Sequence, residues 1–259
     1  MRIDVYLTEK GYAQSRKRAQ DLIEGGCVSV DGKKITKSSY QIEEGEHEIL
    51  VENDLAYVSR GGLKLEAALD VFSPNIEGLT ALDIGASTGG FTHCMLSRGA
   101  KKVFAVDSGS GQLAKALRED PRVISMERFN ARNLCSADLG GELVDLIVMD
   151  VSFISATYII PQFKLLLKEN GHAICLIKPQ FEVGRAMLGK GGIVKDPKAH
   201  RAAVERVMAS GIASGLVPTG LIPSPVKGGD GNREFLICFA VGDTEEKSLK
   251  LDDVPKLLF

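Results

Sequence analysis

A glycine loop between a predicted strand and a predicted helix has the residue types of a nucleoside-binding site. An apolar run that ends at Ile84 meets the glycine-rich turn 85–90, and helical spacing resumes at Phe91. Asp107 ends the next predicted strand, where a carboxylate can accept both hydroxyls of a ribose. The loop lacks the glycine spacing that seats a diphosphate. These residues predict a nucleoside ligand, and glycines kept for packing alone are the alternative.

Four charged side chains fall where other predicted elements begin or end. Asp150 and Lys178 close two apolar runs typical of buried strands, and Glu234 opens the last such run. Lys64 lies on a helix that precedes the sheet. Ligands of open α/β sheets bind beyond the carboxyl ends of the strands, and an antiparallel last strand begins at that same edge. The four side chains can therefore share one rim, although each alone is better explained as a surface, capping or strand-ending residue.

Together these features resemble known methyltransferases. The glycine loop with Asp107 resembles the S-adenosylmethionine site of Rossmann-like methyltransferases, and the order Lys, Asp, Lys, Glu resembles the tetrad of ribose 2′-O-methyltransferases. The whole chain resembles the TlyA family, often labelled haemolysin A, through residues 59–64, 150–155, 178–182 and 232–235. The resemblance implies 2′-O-methylation of structured RNA, at a cytidine of ribosomal RNA.

The resemblance also implies a role for each member of the tetrad. A ribose 2′-hydroxyl is a poor nucleophile, so its proton must leave as it attacks the sulfonium methyl group in line. Lys178 is the implied base, and a lysine can act so only if burial or a second cation lowers its pKa. Asp150 and Glu234 would orient the lysines. Lys64 would position the ribose or stabilise the developing charge.

The implied cofactor site draws on the loop and on the ends of the neighbouring strands. The loop would line the methionine end, Asp107 the ribose, and Asn130 the adenine. The full set is Asp83, Gly85, Ser87, Thr88, Gly89, Asp107, Asn130 and Asp150. Phe181 and Arg185, in a long glycine-rich stretch, would belong to a lid or an RNA-binding loop, with a merely mobile loop as the alternative.

Positive charge is concentrated at the start of the chain. Residues 1–42 hold eight Lys or Arg against five Asp or Glu, whereas the whole chain carries a net charge of −2. Two short helices, the second capped by Ser15, lead into a hairpin with an Asp31-Gly32 turn. This order resembles the S4 RNA-binding module. The predicted RNA contacts are Arg16, Lys17, Arg18, Lys33, Lys34 and Arg60, and a solvated basic face is the alternative.

Beyond the glycine loop, strands and helices alternate as a doubly wound sheet requires. The predicted helices include one over about 155–168, and the last two strands, joined through 228–231, can pair as an antiparallel hairpin. The predicted fold class is α/β, a Rossmann-like methyltransferase sheet that is mostly parallel with a terminal antiparallel strand. We expect an S4-like domain over 1–54, a linker over 55–60, a methyltransferase domain over 61–242 and an acidic tail over 243–259.

The composition indicates a globular protein, because 44% of residues are hydrophobic and 25% are charged. The five cysteines lack metal-binding spacing, as is typical of core residues in a reduced cytosolic protein. No targeting segment opens the sequence, and no apolar run approaches the roughly 18 residues that span a bilayer. We expect a cytoplasmic protein, a monomer or weak homodimer, that acts on ribosomal RNA or a ribosomal subunit without a membrane or a metal.

Two other functions compete with this hypothesis. A non-catalytic RNA-binding protein could keep the fold, but the intact tetrad and glycine loop favour an enzyme. The family label suggests a membrane-active haemolysin, but no segment has the length or the amphipathic periodicity to insert in a bilayer.

Overall fold

The structure, a computed structural model, describes residues 1–13, 15–43, 45–51, 56–72, 74–228, 231–242, 248–254 and 258. The chain divides into two compact units, Met1–Arg60 and Gly61–Phe259. Residues 52–55, at the expected end of the first domain, lie outside the described residues, as do 229–230 of the expected hairpin connection. Most of the expected acidic tail, 243–247, 255–257 and 259, also lies outside them.

The first unit consists of two helices and a small antiparallel sheet. The elements are α1 (Ile3–Glu9), α2 (Arg16–Glu24), β1 (Val28–Val30), β2 (Lys33–Ile35) and β3 (Ile49–Val51), with the strand order β2-β1-β3. The Ser15 side chain accepts a hydrogen bond from the Arg18 backbone N–H, as its capping position predicts. Asp31 and Gly32 have φ values of 50° and 74°, which matches the predicted hairpin turn.

The second unit is built on one large sheet. Its strands are β4 (Thr80–Ile84), β5 (Lys102–Val106), β6 (Val123–Met126), β7 (Val144–Met149), β8 (Leu167–Ile177), β9 (Val217–Pro223) and β10 (Phe235–Ala240). Its helices are α3 (Gly61–Phe72), α4 (Gly90–Ser97), α5 (Lys115–Arg118), α6 (Phe163–Leu166), α7 (Pro179–Glu182) and α8 (Pro197–Ala213). The strands follow the order β6-β5-β4-β7-β8-β10-β9. All pairs are parallel except those of β10, which runs antiparallel to both β8 and β9.

This topology confirms the predicted fold class and explains its hydrophobic runs. Central strands of a doubly wound sheet are covered on both faces, so they are apolar throughout. Every residue of β10 is buried, as are the last four residues of β4 and of β5. The strand order reverses between β4 and β7, which is the position where such sheets bind ligands beyond their carboxyl ends.

The predicted helix over about 155–168 is wrong. The structure has two short 3₁₀ turns, Ala156–Tyr158 and Ile160–Gln162, then the one-turn helix α6, and β8 begins already at Leu167. Pro161 offers no backbone N–H and disfavours the helical conformation of the residue before it, so a continuous helix is broken there. Leu167 pairs in register with Val144, which extends β8 beyond the predicted strand.

Four of the five cysteines, Cys27, Cys94, Cys175 and Cys238, are buried, whereas Cys135 is exposed. All five are free thiols. Within the described ranges, no helix combines the length and the apolar character needed to cross a membrane.

Candidate active site

The sheet brings the four predicted rim residues to one edge. Phe235 of β10 pairs with Ile177 of β8, so the next residues outward, Glu234 and Lys178, stand on neighbouring strands at the same edge. Asp150 directly follows β7, which pairs with β8 on its other side. Lys64 reaches the rim from the first turn of α3. The order of the strands therefore gathers residues that are far apart in the sequence.

Lys64 and Glu234 form a buried ion pair. The Lys64 Nζ donates to Glu234 Oε2 at 2.5 Å, and the side chains are only 10% and 2% exposed. Burial raises the pKa of Glu234, while the charges of Lys64 and Lys178 lower it and that of Asp150 raises it. The pKa of Glu234 is therefore shifted by the charges of all three other rim residues, so the four side chains form one electrostatic cluster.

Lys178 and Asp150 form the second pair. The Lys178 Nζ lies 2.6 Å from Asp150 Oδ1 and donates a hydrogen bond to the Ser152 Oγ at 2.7 Å. The Asp150 Oδ1 is buried and meets no donor in hydrogen-bond geometry among the described residues, so its attraction to Lys178 is that of an ion pair. The arrangement holds one ammonium group at the rim between a carboxylate and a hydroxyl.

A cavity of about 670 Å³ opens beside Asp150 and Ser152, beyond the carboxyl ends of β4, β5 and β7. Five of the predicted cofactor residues line it: Gly85, Ser87, Asp107, Asn130 and Asp150. The other three, Asp83, Thr88 and Gly89, do not. Its size falls in the range of small-molecule sites, and it combines apolar walls with a few convergent polar groups.

The two loop glycines serve different purposes. Gly85 has a φ of 85°, and a Cβ there would lie 2.4 Å from the Asp150 carbonyl oxygen, so only glycine lets β4 and β7 approach at the cavity floor. Gly89 has a φ of 93°, and a Cβ there would strike Leu117. The packing explanation therefore accounts for Gly89, whereas Gly85 also lines the cavity.

The carboxylate of Asp107 is fixed by the backbone around it. Its Oδ2 accepts from the Ser87 N–H and its Oδ1 from the Gly109 N–H, both at 2.7 Å. Each carboxylate oxygen has a second lone pair, so Asp107 can still accept hydrogen bonds from a ligand. Asn130 caps the short turn Ala131–Asn133 by accepting from the Arg132 N–H. Both side chains are therefore preoriented at the cavity wall.

Asp83 belongs to β4 and directly precedes Ile84, which lines the cavity. It is fully buried, the Thr92 Oγ1 donates to its Oδ2 at 2.6 Å, and its Oδ1 meets no hydrogen-bond donor among the described residues. Burial raises the pKa of Asp83 to about 7, and the charges of Asp150 and Asp107 add to this rise. A cation in the cavity would relieve this crowding of carboxylates.

The predicted RNA contacts of the first unit differ in how freely their charges face solvent. Lys33 and Lys34 are exposed, and the side chains of Arg16 and Lys17 are each 54% exposed although they pair with Asp4 and Asp21. Arg18 donates to the Val58 carbonyl oxygen at 2.7 Å.

Arg60 faces inward, since its side chain is 13% exposed and it pairs with Glu24. The carboxylate of Asp4 is fully buried, and hydrogen bonds from Arg2, Gln20 and Arg16 outweigh that burial and hold its pKa well below the usual range. The hydrogen bond from Arg16 to the buried Asp4 therefore fixes the orientation of the Arg16 side chain.

Some residues at the site carry no role in the sequence-based prediction. Ser152 binds Lys178, and Phe153 is 92% exposed with a φ of 65°, its ring 5.3 Å from that of Phe181. Glu182 is a buried carboxylate behind the rim. These residues follow Asp150 or Lys178 closely in the sequence, and this proximity is the only sequence feature that indicates a role for them. Their contacts depend on tertiary structure and could not be predicted.

Asn232 holds the glycine-rich stretch in place. Its side chain accepts from the Val194 N–H at 2.9 Å and donates to the Gly192 carbonyl oxygen at 3.2 Å. It is buried, two residues before Glu234.

Among the described residues, no group of three His, Cys, Asp or Glu side chains is arranged to hold a metal ion.

Comparisons with known proteins agree with this geometry. The family model of the FtsJ-like methyltransferases matches residues 57–241, and that of the S4 domain matches residues 1–47. The chain is 43% identical over 241 residues to "Hemolysin A" of Brachyspira hyodysenteriae, covering 93% of this chain and 100% of that protein. It is 40% identical over 237 residues to "16S/23S rRNA (cytidine-2'-O)-methyltransferase TlyA" of Mycobacterium tuberculosis, strain CDC 1551 / Oshkosh, covering 91% of this chain and 88% of that protein.

A solved structure extends the similarity to the whole fold. The protein described as "Putative hemolysin from Streptococcus thermophilus" superposes with a TM-score of 0.79 at 39% identity, over 99% of this chain and 94% of that chain. The matched segments include both units and all four rim residues. The chain belongs to the TlyA family, FtsJ-like methyltransferases that carry an S4 domain at the start of the chain.

Proposed function

We propose that this protein transfers a methyl group from S-adenosylmethionine to the ribose 2′-hydroxyl of a cytidine in ribosomal RNA. The observation that carries the proposal is the pair of lysine–carboxylate contacts, Lys178 with Asp150 and Lys64 with Glu234, at the sheet edge where Asp150 also lines a nucleoside-sized cavity. The relative named above as a cytidine-2′-O-methyltransferase supports this choice of substrate. The reaction would take place in the cytoplasm, where ribosomal RNA is modified.

The cavity residues fit S-adenosylmethionine. Gly85 and Ser87 would face its methionine end, Asp107 would accept the ribose hydroxyls, and Asn130 would meet the adenine. The carboxylates of Asp107 and Asp150, which line the cavity, suit the positive charge of a sulfonium ligand. Thr88 and Gly89 would support the loop from behind, since the Thr88 carbonyl oxygen accepts from the Ala114 N–H. When bound, this cofactor supplies a methyl group on a sulfonium centre.

The side chains of the rim would prepare the hydroxyl for attack. Lys178 Nζ, after its ammonium group has released one proton to solvent, would take the proton of the 2′-hydroxyl as the oxygen attacks, and Asp150 with Ser152 would hold the ammonium group that forms again. Lys64, fixed by Glu234, would position the ribose and stabilise the charge that develops on its oxygen. The proton thus ends on Lys178, and the charge it brings is balanced by Asp150.

RNA would be held by the first unit and by the surface beside the cavity. Basic residues of α2 and of the β1–β2 hairpin are suited to phosphate contacts, which position nucleic acids without reading bases. The exposed ring of Phe153 is suited to stacking against an unpaired base. Its φ of 65° is rare for a bulky residue, and such strain persists at functional sites.

The direct test is methyl transfer to isolated ribosomal subunits with tritiated S-adenosylmethionine, followed by mapping of the modified nucleotide. We expect label at the 2′-hydroxyl of a cytidine. Binding of RNA and cofactor without transfer would favour the non-catalytic alternative, and label on a base would contradict the ribose assignment.

Replacing Asp107 with alanine should mainly weaken cofactor binding. The ribose hydroxyls lose an acceptor in a partly buried site, which costs about 1–3 kcal/mol, or roughly 5- to 150-fold in affinity. Calorimetric titration with S-adenosylmethionine measures this, and RNA affinity of the variant is the control. An unchanged cofactor affinity would mean that Asp107 serves only to fix the Ser87 turn.

Replacing Arg16, Lys17 and Arg18 together with alanine should lower RNA affinity and reduce its dependence on salt. Each lost phosphate contact removes about one unit from the slope of log affinity against log salt. The fold should persist, because Asp4 keeps Arg2 and Gln20 as partners. Filter binding across a salt series gives the slope, and cofactor affinity should stay unchanged. A slope equal to that of the wild type would show that these residues form a solvated face.

A further inference from the structure

Glu182 is a buried carboxylate that no step of the proposed reaction uses. It ends α7, the single helical turn that follows Lys178, and is only 3% exposed. Its Oε2 accepts from the Ser155 Oγ at 2.5 Å, and its Oε1 accepts from the Ala156 backbone N–H at 2.7 Å. Both oxygens are therefore committed to two successive residues of another segment.

That segment, residues 150–156, carries much of the rim. It begins with Asp150, continues through Ser152 and the exposed Phe153, and ends at the two partners of Glu182. A bulky residue at positive φ, as Phe153 is, keeps that conformation only where its surroundings hold it. The segment is thus anchored at both ends, by β7 before Asp150 and by Glu182 after Ile154.

The energetics favour a functional reason for this carboxylate. Burial raises the pKa of Glu182, while the hydrogen bonds from Ser155 and Ala156 and the charge of Arg206 lower it. Arg206 also donates to the Glu182 carbonyl oxygen at 2.8 Å. A buried polar group costs free energy that an apolar side chain of similar size would avoid, so a carboxylate with both oxygens bound to one segment suits a role in orientation better than one in stability.

We propose that Glu182 is a positioning residue for methyl transfer: it clamps segment 150–156 against the turn after Lys178 and so sets the distance between Asp150, Ser152 and the Lys178 ammonium group. The inference rests on the proposed function, because it assigns Glu182 a part in that reaction. Glu182 itself touches no reacting atom and acts only by holding segment 150–156 against α7.

The test compares single-turnover methyl transfer at saturating RNA and cofactor. Glu182→Ala should lower the rate by about 10- to 100-fold, since misplacement by about 1 Å can cost about 100-fold. Glu182→Gln should restore the rate to within about threefold of the wild type, because an amide can accept from Ala156 and donate to Ser155. A Gln variant as slow as the Ala variant would contradict positioning and indicate a role for the charge itself.

A second measurement separates positioning from a general loss of stability. If Glu182 acts through Lys178, adding Glu182→Ala to Lys178→Ala should lower the residual rate by less than about twofold. A full 10-fold further loss would contradict the inference.

Asp145→Ala is the matched control. The Asp145 carboxylate accepts a hydrogen bond from the Thr80 N–H at 2.9 Å and pairs with Lys168 at the opposite edge of the sheet. It should cost stability and leave the rate unchanged.

The possible failures are distinguishable. A wild-type protein that transfers no methyl group to RNA refutes the proposed function, whereas an active wild type with an equally fast Glu182→Ala variant refutes only the clamp. If Glu182→Ala does not fold, Ser155→Ala removes one of the two contacts and should slow transfer several-fold by the same reasoning. A wild-type rate in a folded Ser155→Ala variant would then contradict the proposal.

Discussion

Replacing Lys178 with alanine should slow methyl transfer by about 10²- to 10⁴-fold, the range that a positioned proton acceptor commonly contributes. The sheet and the cofactor cavity should persist, because the polar contacts of Lys178 are to Asp150 and Ser152 at the end of the strands. Single-turnover transfer with saturating RNA and cofactor measures the chemical step, so weaker binding cannot pass for slower chemistry.

Replacing Lys178 with arginine should not restore activity. A guanidinium stays protonated at ordinary pH and cannot accept the hydroxyl proton, although it can pair with Asp150 as well as an ammonium group does. The alternative is that Lys178 acts only as a positive charge, which its contact with Asp150 also allows. Transfer by the Arg variant at close to the wild-type rate would establish that alternative and refute the general base.

A matched control is Lys168→Ala. Lys168 also forms an ion pair with an aspartate, Asp145 of β7, but at the opposite edge of the sheet, where the two side chains are 47% and 25% exposed. Surface ion pairs contribute about 0–1 kcal/mol, so this variant should keep both fold and rate. If it slowed transfer as Lys178→Ala does, the effect would have to be attributed to stability and not to the rim.

The alternation of apolar runs with helical segments predicted the sheet, and the short connection 228–231 with the family resemblance predicted its antiparallel last strand. Strand ends in such a fold share one edge, so the sequence alone predicts that Asp150, Lys178 and Glu234 lie together. The helix expected over about 155–168 failed because helical periodicity in a short apolar run does not exclude a strand, and Pro161 interrupts it. Tertiary pairing with β7 decides the conformation from Leu167 onward.

The pairing of the charges at the site could not be predicted from the sequence. Which carboxylate meets which lysine depends on the packing of α3 against the end of β10, and that packing brings Lys64 to Glu234 and leaves Lys178 to Asp150. Burial is equally invisible in the sequence. Glu182 resembles any helix-ending glutamate until its contacts with Ser155 and Ala156 are known.

Arg60 shows the same limit in the first unit. A basic residue at the end of an expected linker suggested an RNA contact, but its side chain lies against Glu24. Its assignment as an RNA contact stays a prediction, to which exposed residues such as Lys33 are better suited. The pattern of charge along the chain indicated which module binds a polyanion, whereas the individual contacts depend on how each side chain is paired.

Removing Lys64 should damage both stability and reaction, and the two effects can be separated. In Lys64→Met the carboxylate of Glu234 stays buried without its partner, and breaking a buried ion pair from one side costs about 3–5 kcal/mol. In the double variant Lys64→Met with Glu234→Leu, no buried charge is left alone, so much of the stability should return. Urea unfolding of the full chain gives the stabilities.

The loss of stability in Lys64→Met should also depend on pH. Burial already raises the pKa of Glu234, and without Lys64 one of the groups that lower it is gone, so the pKa rises further. A carboxylate with a raised pKa in the folded state supports the fold while it is protonated, and that support is lost as the pH rises through the folded pKa. The penalty should therefore be small in acid and largest at neutral pH. In the double variant this dependence should vanish.

Methyl transfer should not recover with stability. If Lys64 positions the ribose and stabilises the charge on its oxygen, the double variant should fold like the wild type and still react at least about 10²-fold more slowly, the typical cost of one lost electrostatic contact to a transition state. Cofactor affinity, measured calorimetrically, should be unchanged in the same protein, because neither side chain lines the cavity. A double variant that regained wild-type transfer together with its stability would show that this buried pair supports the fold alone, and would leave Lys178 and Asp150 as the reacting pair.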